Sequence, residues 1–143
     1  MLKKLVTLLS FCFILLFPIY ANAHDFKYIE IFDPKQNKVV KVVQSTPEIQ
    51  NMITGWITNI QGIHGKIDPA TDDGYALRIP LDPAVNVNCK YLNATVSEVY
   101  IIIPEKDPPF YGIFLNENKL MFYQFNGDID MLSKILDFKL KNK

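Results

Sequence analysis

The side chains that could do covalent chemistry are few in this sequence, and they are scattered. Cys12 and Cys89 are the only thiols, and His24 and His64 the only imidazoles. Nucleophilic catalysis needs a nucleophile, a base and an orienting group within reach of one another. Cys89, His64 and Asp73 supply those residue types, but no Gly-x-Ser-x-Gly elbow, His-Glu-x-x-His pair, phosphate loop or papain-like cysteine context surrounds them. A carboxylate pair for glycoside hydrolysis can be drawn from Glu98 with Glu105 or Asp107, yet the acids of this chain fall where turns call for them. Asp68, Asp72 and Asp73 lie between Gly62 and Gly74 without the alternating oxygen ligands and closing glutamate of a calcium loop, so they read as turn and capping residues. No catalytic residue and no cofactor is expected.

Two other groupings carry sharper chemistry. If the chain is cut after Ala23, His24 becomes its first residue, and an N-terminal histidine can bind copper through its amine and ring nitrogen. His64 could add a third nitrogen. This histidine brace resembles the copper sites of polysaccharide monooxygenases and small periplasmic copper carriers, and it covers two residues and no fold motif. The second grouping is aromatic: Tyr75, Tyr91, Tyr100, Tyr111 and Tyr123 recur through the apolar segments. A phenol can bury its ring and still offer its hydroxyl to water or a ligand. Tyr75, Tyr100, Tyr111 and Tyr123 are the candidate binding residues, on the expectation that they share one face of a sheet.

Compartment follows from the first residues. Lys3 and Lys4 precede an apolar run from Leu5 to Tyr20, and Ala21-Asn22-Ala23 supplies the small residues a signal peptidase needs. The reading is a secretory signal peptide over 1–23, cleaved after Ala23, with no membrane span left afterwards. Cys12 follows Leu9-Ser10-Phe11, whose bulky Phe does not suit lipid attachment. Taking 23 residues from 143 leaves 120, with 13 basic and 15 acidic side chains. That is one domain, long enough to bury a core. Its near balance of charge argues against a nucleic-acid partner, which needs a concentrated basic face. Cys89 alone remains, so no intramolecular disulfide can form and packing must hold the fold.

The elements that position these residues centre on Val96 to Phe125, whose β-branched and aromatic runs are broken by Asp107-Pro108-Pro109 and Asn116-Glu117-Asn118. Three strands are expected there. A hairpin is expected over 26–43, with Asp33 to Asn37 as its turn. Thr46-Pro47 starts a helix whose stripe of Ile49, Met52, Ile53, Trp56, Ile57 and Ile60 runs to Gln61, and Asp128 starts another that reaches about residue 138. Between the helices, Tyr75 to Leu81 and Ala84 to Asn88 read as two strands parted by a turn at Asp82-Pro83. The fold class is α+β: an antiparallel sheet of six or seven strands, with helices over about 46–61 and 128–138 on one face. Because Val99 to Ile103 and Phe110 to Leu115 are apolar on both parities, the other face is either covered by the first hairpin or left as an exposed patch. Of the two, the covered face is the expectation.

The segments Phe32-Asp33-Pro34, Tyr75 to Leu81 and Ile103-Pro104-Glu105-Lys106-Asp107-Pro108-Pro109-Phe110 resemble a group of small secreted proteins of Gram-positive, spore-forming bacteria. The resemblance implies the compartment and brings no functional residue with it. The expected function is a secreted, non-enzymatic binding domain acting on a protein or cell-wall partner in the cell envelope or outside the cell. The alternatives are a small extracellular enzyme, using copper at His24 and His64 or the Cys89 thiol, and a protease-inhibitor or propeptide-like module.

Overall fold

A computed structural model describes residues 27–65 and 72–142. The leader, its cleavage site, Cys12, His24 and Asp68 lie outside the described residues. Six strands form one antiparallel sheet: β1 Tyr28–Asp33, β2 Lys38–Gln44, β3 Tyr75–Asn88, β4 Asn93–Ile103, β5 Phe110–Asn116 and β6 Lys119–Gln124, in the order β2-β1-β3-β4-β5-β6. Helix α1 (Pro47–Ile57) joins β2 to β3, and α2 (Ile129–Ile135) follows β6.

Local chemistry sets the element ends. Asp33 closes the first hairpin by accepting the backbone N–H groups of Lys35 and Gln36 and the Gln36 side-chain amide, at 2.9, 3.3 and 2.7 Å. Thr46 caps α1 through the Ile49 N–H, and Asp128 caps α2 through the Met131 N–H. Both helices are shorter than their apolar stripes suggest. At the end of α1, the Thr58 hydroxyl and Asn59 amide turn back onto the carbonyls of Thr54 and Gly55, which competes with further helix. Asp137, at φ 49°, ends α2: its N–H goes to the Lys134 carbonyl and that of Phe138 to Ser133.

One row across the middle of the sheet shows where the core lies. Register pairs Ile31 with Leu77, Leu77 with Ile101, Ile101 with Tyr111 and Tyr111 with Tyr123. All five side chains are buried, and Ile49, Ile53 and Ile57 of α1 and Leu132 and Leu136 at α2 join the same cluster. Both helices therefore cover one face.

Two expectations are corrected. Tyr75 to Asn88 is a single strand rather than two, with an irregularity between Pro80 and Val85 where Asp82-Pro83 was expected to turn the chain. The Gln50 side chain of α1 supplies the reason: its amide donates to the Pro80 carbonyl and accepts from the Asp82 N–H, replacing ladder bonds the two strands lose there. The first hairpin also does not fold over the second face. It extends the sheet, because β1 pairs with β3 through Glu30 and Arg78, Ile31 and Leu77, and Phe32 and Ala76.

Candidate functional site

The face away from the helices is built by the alternate residues of every strand. One row reads Val39, Phe32, Ala76, Ile102, Phe110 and Gln124, and the next Val42, Glu30, Arg78, Tyr100, Gly112 and Phe122. Phe114 and Leu120, themselves register partners, extend it. No helix or strand among the described residues lies over these rows; at one end the His64 ring stacks on Phe110, which is 2 % exposed, so Phe110 is not part of the open surface. Phe114, Leu120, Val39 and Val42 keep 42, 38, 43 and 56 % of their surface open. The rings lean on one another edge to face, Tyr100 with Phe114 at 6.0 Å and Phe110 with Phe122 at 5.8 Å. Gly112 lets this happen, since a Cβ there would already touch the Phe122 ring, Tyr100 and Ile102.

The charges in these rows sit at their centre. Arg78 Nε lies 3.0 Å from a Glu98 carboxylate oxygen, and an Arg78 terminal nitrogen 3.3 Å from Glu30. The hydrogen bond to Glu98, and then that to Glu30, raises the Arg78 pKa further above its usual value. Burial, with the Glu98 carboxylate beside it, raises the Tyr100 hydroxyl. Glu30, Phe32, Val39, Ala76, Arg78 and Tyr100 line a hollow of about 210 Å³ beside this cluster.

The four candidate tyrosines do not share this face. Tyr111 and Tyr123 point under the helices and are buried; Tyr75 lies on that side too, edge-on to Phe138 at 5.0 Å. Tyr100 alone is on the open face. The cause is register, because Tyr111 and Tyr123 pair with each other in the same row as Ile101. The Tyr111 hydroxyl donates to the Asn126 side-chain oxygen at 2.6 Å, while the Asn126 amide donates to the carbonyls of Trp56 and Asn59. This phenol thus ties the sheet to the end of α1, and burial pushes its pKa well above the usual value.

The other candidates are also apart. The His64 ring lies flat on Phe110, 4.2 Å between centroids, and the His64 backbone N–H donates to the carbonyl of Phe122 in β6. Cys89 is half-buried in the β3–β4 turn, and Asp73 accepts from the Glu105 N–H. Glu98 and Glu105 belong to different neighbourhoods, one on Arg78 and the other on Lys35. The five residue steps of strand from Glu98 to Ile103 alone span roughly 16 Å, beyond the carboxyl spacing of either glycosidase geometry. Among the described residues no three His, Cys, Asp or Glu side chains are grouped so as to hold a metal ion.

Of the larger clefts, two are lined by side chains already engaged in bonds of the fold. One of about 580 Å³ runs between the start of α1 and Asp82 to Val85, and the Gln50 amide that lines it is already bonded to Ser45, Pro80 and Asp82. The other, about 480 Å³, lies among Lys35, Lys106, Lys139 and Lys141. There Lys35 is on Glu105 and Lys141 on the Asp107 carbonyl.

Compared with protein-family models, curated proteins and solved structures, the chain matches none. Among the described residues no helix is long and apolar enough to cross a membrane, and Cys89 is a free thiol.

Proposed function

We propose that this is a secreted, non-enzymatic binding domain whose open sheet face takes up a partner in the cell envelope or outside the cell. One observation carries the reading: the strands are apolar on both faces, yet the helices cover only one. A contiguous patch of Phe, Val, Leu and Ile with a small central charge cluster is the surface pattern of an interaction site. The sheet edges are less inviting. β2 carries Lys38, Lys41 and a register shift opposite Ile31 and Phe32, and the middle of β6 is paired with Gly62 to His64. A partner therefore meets side chains on the face more readily than backbone at an edge.

The test is photo-cross-linking in cells that make the protein, with a benzophenone amino acid placed at Phe114 on the open face or at Met131, exposed on α2. A discrete adduct from position 114 and none from 131 is the expected outcome. Equal capture from both positions, or none from 114, would contradict the reading.

A further inference from the structure

The charges of the open face constrain what can cover it. In the two central rows and the flanking Glu98 there is one cation, Arg78, and there are two carboxylates, Glu30 and Glu98. The Glu98 side chain is 26 % exposed and the Glu30 side chain 39 %, so both are half-withdrawn from water already. An apolar partner laid across Phe32, Ile102, Phe114 and Phe122 would complete that withdrawal. It would bury a cluster with one negative charge in excess, and an uncompensated buried charge is among the costliest things a surface can hold.

We infer that the occupant of the open face is a polypeptide segment, mostly apolar, that lays the stem of one lysine or arginine in the apolar hollow lined by Phe32, Val39 and Tyr100 and brings its charged head to the Glu30 carboxylate beside it. This rests on the face being the binding surface. The stem of such a side chain packs on the apolar walls while its head neutralises the excess charge, a division of labour long basic side chains regularly adopt. Tyr100 and Phe32 line the hollow, and aromatic rings beside it favour a cation. The hollow of about 210 Å³ is below the size of a pocket for a whole small-molecule ligand and suits a single side chain. A polypeptide fits better than a glycan because the rest of the rows, from Val42 to Phe122, offers carbon rather than hydrogen-bonding groups. A second copy of this chain fits worse, since face against face it would bring a second cluster of the same negative sign.

The probes are hexylammonium, hexanol and hexanoate, one apolar stem with three heads, titrated into the isotope-labelled protein and followed by amide NMR shifts. All three should move the signals of Phe32, Ala76, Arg78 and Tyr100. Hexylammonium should bind about three- to fivefold tighter than hexanol, the gain a half-exposed ion pair supplies, and hexanoate weakest. Glu30→Gln, which leaves Arg78 and Glu98 balanced, should bring hexylammonium and hexanol to equal affinity with the fold unchanged. Equal binding of the three heads at the face overturns the inference and leaves the face as a binding surface. Shifts confined to other surfaces overturn both. Face signals that move with protein concentration alone make the occupant a second copy, and the basic segment is then wrong.

Discussion

At the residue scale, Tyr111 and Tyr100 show how one residue type serves two ends. Tyr100 stands in the open rows beside Glu98, whereas Tyr111 lies in the core with its hydroxyl on Asn126. Because burial raises the Tyr111 pKa in the folded protein, the stability it contributes is complete below the ordinary phenol value of about 10 and is lost as pH rises above it. Each buried phenol of this kind steepens alkaline destabilisation by up to about 1.4 kcal/mol per pH unit. Tyr111→Phe should therefore cost about 1 kcal/mol at neutral pH, where Asn126 loses its donor, and should flatten the decline above about pH 10. Urea unfolding of both proteins between pH 8 and 11 measures this. Parallel decline in the two would show that the phenol stays accessible to ionisation.

At the element scale, the helix starts and turns were legible because their chemistry is local. Thr46, Asp128 and Asp33 each bond a backbone group two or three residues away. The continuity of β3 was not, since the groups that hold Pro80 and Asp82 in the strand come from Gln50, about thirty residues earlier. Gln50→Ala should leave the Pro80 carbonyl and the Asp82 N–H without their partner and lower stability by about 1 kcal/mol. Amide exchange should rise first at Leu81 and Asp82. Unchanged exchange there would mean that β3 is held by its own ladder. The apolar runs of β4 and β5 announced two faces to bury, but periodicity does not say which face a helix will take. For the same reason the tyrosines, read as one set, were divided once register placed Tyr111 and Tyr123 in the row of Ile101.

At the scale of the whole molecule, α1 and α2 both lie on one side of a six-stranded sheet, and the first hairpin widens the sheet instead of doubling it. The open side that results carries Phe32, Ile102, Phe114 and Phe122 around Arg78, and the proposed function rests on it. The sequence showed that these residues exist; only the pairing of β1 with β3 brings Glu30 to Arg78 and makes them one site. Hydroxyl-radical footprinting tests the claim most directly, comparing the purified protein with the protein in the medium and envelope of the cells that make it. Phe114, Leu120 and Phe122 should be protected in the native setting, while Met131 and Tyr91, exposed elsewhere, are labelled equally in both. Equal labelling of the open face in both settings would contradict it.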